Sequence, residues 1–443
     1  MPQDARPEAA PHHEVIATHG NIQRWIEPWY GAYAILGALA AGLAVIAIPL
    51  VITDAGGSAT MIGATIAAQN SGALLAPFWG IAADRTKAYR GVFFAGFILI
   101  GLGFLVLSAL HGLPAWAAGA FLIGFGTGAS NTVASLFVVE FTPKDEWGQR
   151  ISWMQTFNAL GSVLGMALAG LLAPRLDTLL ATFLVIPAII IGGRGLPVPG
   201  SRFHFRRPTL HAAELVSLLH RAGPNPATVL AHLRPPSLAQ FWALRGALAS
   251  GFGVFLLSWF LFSLAVSSFA SLYPVLMEQS FAISVARSSL LMSIATGLSI
   301  PLYNFAGRLV TSRSPAVALG IGISGRMLGL FCLAGIGFLH AGWAILPVII
   351  LFGLYQGIWP ILSVASNDLA AGLAPFGEGA AMGSFNAAAA IASAVGAVAG
   401  GKVADMFGFP AVCLFAATVA ALALACATAL ARRGGAAAVA AAD

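Results

Sequence analysis

The feature that most constrains this chain is a succession of continuous apolar runs, each about 20 residues long, joined by short polar segments. They fall at about 30–52, 60–82, 91–111, 115–138, 151–173 and 176–193, and resume at about 246–276, 286–307, 315–339, 343–366, 381–401 and 409–431. At about 1.5 Å per residue, such a run crosses a hydrocarbon core of about 30 Å as an α-helix. A β-barrel would instead show segments of roughly 10 residues with alternating polarity. Composition closes off a soluble domain. The chain is 58% hydrophobic and 9% charged, whereas water-facing domains carry about a quarter charged residues. The expectation is an all-α membrane protein of about twelve spans, split six and six. The weakest span is 176–193, which is short and contains Pro187.

The joints are asymmetric in charge. With a cytoplasmic N-terminus, the joints on that side hold Arg85, Lys87 and Arg90, then Lys144 and Arg150, then Arg194 through Arg245, then Arg308, Arg313, Arg432 and Arg433. The opposite joints hold little beyond Arg175, Arg287 and Lys402. Lys and Arg gather on the cytoplasmic side, so both termini are expected there, in a multi-pass cell-membrane protein. This topology also explains the formal charge of +6 without nucleic acid. The expected order is a tail 1–29, a six-helix bundle 30–193, a cytoplasmic loop 194–245, a second bundle 246–433 and a tail 434–443. The first 25 residues show no leader-type apolar core. Trp25, Trp29 and Tyr30 are placed to form an interfacial belt. In the loop, "TLHAAELVSLLHRAG" can lie on anionic lipid as an amphipathic helix. The histidines lack ligand spacing and Cys332, Cys413 and Cys426 sit inside apolar runs, so no metal, cofactor or disulfide is expected.

The halves resemble each other. "ISWMQTFNALGSVLGMALAGLLAPRLD" aligns with "AAMGSFNAAAAIASAVGAVAGGKVAD" at an offset of about 228 residues. Asn158 then faces Asn386, Asp177 faces Asp405, and Glu140 faces Asp368. A repeat of six spans suggests a monomeric transporter with its site between two bundles near the midplane.

Between the second and third spans, "WGIAADRTKAYRG" crowds charges into an otherwise apolar chain. Together with the two six-helix halves and the long central loop, this segment resembles the signature of the major facilitator superfamily. The resemblance runs from about Tyr30 to Arg433 and implies the fold of that family. It also implies a conformational latch made of Gly80, Asp84, Arg85 and Arg90, with Asp84 engaging the start of the eleventh helix near Gly377 to Gly383. An anion beside a helix N-terminus is stabilised by roughly 0.3–1 kcal/mol. The second half keeps Gly307, Arg308 and Arg313 in "NFAGRLVTSRSP" but lacks the acid. Two departures weigh against a proton-driven drug antiporter: the fourth span has no basic residue, and Met166 follows Gly165 where a Gly-Pro pair is usual.

Few polar residues lie at depth. Every Asp and Glu falls at a helix end, in a loop or in a tail, which leaves Glu140 and Asp368 as the matched candidates for proton coupling, or as solvated interfacial acids. Arg326 falls in the middle of the ninth run, where a charge costs about 2.5–3.5 kcal/mol. It is either a structural residue or a cation that binds an anionic group. Gln69, Asn70, Asn131, Tyr355, Gln356 and Trp359 are the candidate substrate-binding residues, on spans two, four and ten. Amides and aromatic rings around one site suit a neutral or amphipathic organic solute, though each amide alone can equally bond between helices. No convergent set of nucleophile, His and acid suggests an enzyme. The expected function is secondary active transport of a small organic solute by alternating access, with export ahead of uptake. The alternatives are a symporter or uniporter, for an organic anion if Arg326 reaches the cavity, and a non-transporting receptor or scaffold.

Overall fold

The computed structural model describes residues 25–86, 88–143, 146–169, 171, 174–196, 250–339, 345–373 and 378–440. The first tail up to residue 24, the surface helix expected at 209–223 and Lys87 lie outside them. The described chain is almost wholly helical. The first half runs α1 (Tyr30–Asp54), α2 (Ala59–Leu74, resuming as Ala76–Thr86), α3 (Tyr89–Ala109), α4 (Leu113–Phe141), α5 (Trp147–Leu168) and α6 (Pro174–Gly195). The second runs α7 (Gly251–Ala270, extended by Tyr273–Phe281), α8 (Val285–Ser312), α9 (Pro315–Leu339), α10 (Ile345–Gly357, resuming as Trp359–Gly372), α11 (Glu378–Phe407) and α12 (Phe409–Ala440). Among the described residues, 10 helices are long and apolar enough to cross a membrane. The other two, α2 and α5, carry polar residues along their length, including Gln69, Asn70, Gln155 and Asn158. Large apolar side chains such as Leu164, Phe183, Leu298 and Leu339 point outward, as a lipid-facing girdle requires.

Three helices are broken, each beside a proline, with the α7 break at Ser271–Leu272 before Pro274. The α2 break at Leu75 precedes Pro77, and the α10 break at Ile358 precedes Pro360. Proline has no N–H for the preceding turn, so a helix restarts readily there. Such breaks are tolerated at membrane depth only where protein or a cavity surrounds them.

Glycines set the packing within each half, between its first and fifth helices. A methyl group on Gly161 or Gly165 would collide with the α1 backbone at Ala34 and Ala38. One on Gly396 or Gly400 would collide with α7 at Leu264 and Ser268. Small residues let backbones approach closely where lipid offers no hydrophobic drive. Asn158 adds a bond from Nδ2 to the Tyr33 carbonyl at 3.3 Å.

The belt expected of Trp29 and Tyr30 is corrected by the structure. Both are buried, and Trp29 packs against Tyr30, Tyr33, Phe93 and Phe137. The entry to α1 is instead pinned to α5: Arg150 pairs with Glu27 at 2.8 Å and with Glu146 at 2.8 Å.

The halves meet on the face opposite the described ends of the chain. There the start of α2 packs on the end of α11, α5 packs on α8, and the Tyr273–Phe281 extension packs on the end of α1. A methyl on Gly63 would strike the Ala397 carbonyl, and one on Gly401 the Ala59 carbonyl. Ser293 Oγ donates to the Val163 carbonyl at 2.8 Å. Asp405, at the end of α11, accepts from the N–H groups of Ala59 and Thr60, each at 2.9 Å. One apolar cluster runs through both halves on this side and includes Ile62, Phe269, Leu272 and Ala404. Toward the other face the second half has a separate cluster around Phe255, Trp259, Leu319 and Leu430. The core is therefore joined at one end and divided at the other.

Candidate functional site: the central cavity

Where the core divides, a cavity of about 460 Å³ lies between the halves. From the first half it takes Ala40, Ala41 and Val45 of α1, with Ile66, Gln69 and Asn70 of α2. Ala38–Leu43 is a π-helical turn. A widened turn of this kind costs hydrogen-bond quality and recurs at functional sites, and here it faces the cavity. From the second half come α7, Trp359 at the restart of α10, and Ala389 and Ser393 of α11.

Helix α7 contributes most, and sequence reasoning passed over it. Ser263, Ser267 and Ser271 all line the cavity, together with Trp259 and Phe262. Their spacing of four puts the hydroxyls on one helix face, a signal present in "SWFLFSLAVSSFASL". Ser267 Oγ donates to the Ser393 carbonyl at 2.7 Å, tying α7 to α11 beside the cavity. No lining residue is ionisable among those described.

The expected binding set divides. Gln69, Asn70 and Trp359 reach the cavity. Asn131 does not line it: its Oδ1 accepts from Tyr33 Oη at 2.9 Å, a bond between α4 and α1. That places Asn131 and Trp359 in different roles although the repeat relates them. Tyr355 is buried, stacks on Phe352 and meets Phe269 edge to face. Gln356 lies behind the wall, where its Oε1 accepts from Arg326 Nη2 at 3.2 Å and its Nε2 contacts Met292 Sδ at 3.5 Å. Arg326 is 2% exposed, so it does not snorkel. Its guanidinium lies 4.1 Å from the Tyr355 ring centroid and 5.1 Å from that of Trp359.

The latch residues are partly placed. Gly80 faces the Thr132 methyl of α4, where a Cβ would sit at 3.4 Å. Asp84 and Arg85 belong to the second segment of α2, with side chains outside the described set. Arg90 Nη2 donates to the Gly193 carbonyl at 2.6 Å, a bond within the first half, at the end of α6. Glu140 lies in the last turn of α4, its side chain also outside the described set, and Asp368 is exposed on the second segment of α10.

Two packed helical halves, pressed together at one face and parted around a central cavity, have the architecture of a membrane transporter. The chain belongs to the Major Facilitator Superfamily, whose family profile matches residues 31–376. Among solved structures, the nucleoside transporter NupG superposes with a TM-score of 0.66 at 13% identity, over 91% of this chain and 97% of the other. A D-xylose-proton symporter superposes at 0.66 with 13% identity, over 92% and 96%. A POT family transporter in complex with a thioalcohol-conjugated peptide gives 0.60 at 16%, over 92% and 94%. No curated protein sequence matches this chain. The family and these neighbours are transporters rather than enzymes.

Proposed function

We propose that this protein is a secondary active transporter of a small, ring-bearing organic solute. The observation that carries this reading is the cavity itself. It is built by both halves, closed at one face, and lined by two indoles, two amides and a row of hydroxyls. Trp359, which is 36% exposed, offers aromatic surface to a ring, while Gln69, Asn70 and the α7 serines offer donors and acceptors. Both walls come from one chain, which supports a monomer as the working unit, and the apolar girdle supports lipid as its surroundings. The test is a thermal-stability panel of small solutes on the purified protein, followed by counterflow in liposomes with those that stabilise it. Failure of every stabilising solute to exchange across the membrane overturns the reading.

The charge asymmetry of the joints supports a cytoplasmic location for both termini. Cysteines at 200–235 and after Arg433 should then label only from inside. Labelling from outside intact cells would reverse the orientation.

The lining does not separate export from uptake. Symport is favoured over export by one observation, the likeness to a D-xylose-proton symporter. A proton coupled to transport then has Glu140 as its carrier, in the apolar context "SLFVVEF", with Asp368 as its repeat counterpart. Glu140→Gln should abolish accumulation driven by a proton gradient while sparing solute exchange, because exchange needs only the loaded carrier to reorient. A variant that still concentrates solute makes Glu140 structural.

A further inference from the structure

Arg326 is a buried cation without a carboxylate. Among the described residues the salt bridges both belong to Arg150, and none reaches Arg326. Of its five donors, Nη2 meets the Gln356 amide oxygen, and Nε is buried with no acceptor. The hydroxyl of Tyr355, against whose ring it lies, is likewise buried and finds no partner beyond the guanidinium itself. Two ring faces recover part of the lost hydration, and the charge itself stays uncompensated. Such a group needs a partner.

Its position says where that partner comes from. Trp359 is at once a wall of the cavity and one of the two rings against Arg326. It opens the second segment of α10 directly after the break at Ile358, while Tyr355 and Gln356 close the first segment. The guanidinium therefore straddles the break, one side chain behind a lining that contains no charge of its own among the described residues.

We infer that the cavity selects solutes bearing a negative charge, such as a carboxylate, sulfonate or phosphate, and that Arg326 is the selecting group. The inference rests on the reading of the cavity as the solute site. A unit charge about 8 Å from a guanidinium, at an effective dielectric near 20, is favoured over a neutral isostere by roughly thirty-fold and a cation is disfavoured to the same degree. The low-dielectric walls keep that field from being screened. Flexing at the Ile358 break gives the anion a path to Nε and the Tyr355 hydroxyl, past Trp359.

The test reads the charge of the cavity without knowing the solute. In a background with Cys332, Cys413 and Cys426 replaced by serine, Ser263→Cys places one thiol in the lining. Its reaction rate is measured in liposomes with the sulfonatoethyl and the trimethylammonioethyl methanethiosulfonates, and the ratio is divided by that of free cysteine. The expected normalised ratio favours the anionic reagent by more than about tenfold. Arg326→Gln should bring it down to about one, and Arg326→Lys, which keeps the charge, should preserve it. A ratio near one with Arg326 present, or one that Arg326→Gln leaves unchanged, overturns the inference. The first of these outcomes requires no substitution of Arg326, so a poorly folding variant does not shield the idea. If neither reagent reaches the thiol, the cavity is not a solute site and the proposed function falls with it.

Discussion

Gly63→Val should abolish transport by preventing the far face from closing. In the structure the start of α2 lies so close to α11 that a single methyl on Gly63 would strike the Ala397 carbonyl. That oxygen belongs to helix backbone and cannot swing aside as a side chain can. The seam between the halves must open, and overpacking of this kind costs about 1–3 kcal/mol. The cost falls on the far-closed state alone, so the balance of states should move roughly five- to 150-fold toward far-open. Spin labels at Ala55→Cys and Ser284→Cys, both exposed on the far-side joints, should report longer distances. Gly335→Ala serves as the control, since a Cβ there meets nothing within 4 Å. A Gly63→Val protein with unchanged distances and normal solute exchange would remove the seam from the mechanism.

Asp405→Ala and Asp84→Asn should shift the carrier in opposite directions. Asp405 closes the far face by accepting from the first two N–H groups of α2, groups that a helix leaves unpaired. Hydrogen bonds to a charged group, helped by the helix dipole, are worth about 1–2 kcal/mol together once solvent exposure is allowed for. Losing them should favour far-open by roughly five- to thirty-fold. Asp84 sits at the other end of α2, as the expected partner of the start of α11. Because α2 and α11 run antiparallel, each would then offer its last-turn carboxylate to the first turn of the other, at opposite faces. Removing Asp84 should favour far-closed. The same pair of labels measures both variants, and a shift of both in one direction refutes the opposed clasps.

The apolar runs marked the helices, several of which run five to nine residues past the end of the run, because hydrophobicity records depth in a membrane while a helix can continue beyond it. Azimuth goes unrecorded. Lipid and protein interior are equally apolar, so a run does not say which of its faces meets a neighbour, the cavity or the bilayer. Trp29 and Tyr30 read as interfacial and are core for this reason. Asn131 and Gln69 look alike in the sequence, and only tertiary packing gives one to Tyr33 and the other to the cavity. The serine row of α7 was legible in principle, since period-four hydroxyls in an apolar helix mark a face. Asp405 was legible as a repeat partner of Asp177, but its docking on α2 depends on a contact across 346 positions. The breaks at Leu75 and Ile358 had prolines beside them as their signal.

The ion pair between Glu27 and Arg150 joins residues 123 apart in the chain, and α1 finds its packing partners in α5 and α6. At roughly 5–20 residues per second of synthesis, α1 leaves the ribosome about 6–25 seconds before the arginine that pins its entry. During that interval α2, α3 and α4 are added, and Gly37 and Gly42 still await the backbone of α5. Biogenesis of the first half is thus paced by elongation, and its earliest helix is among the last to be locked in place.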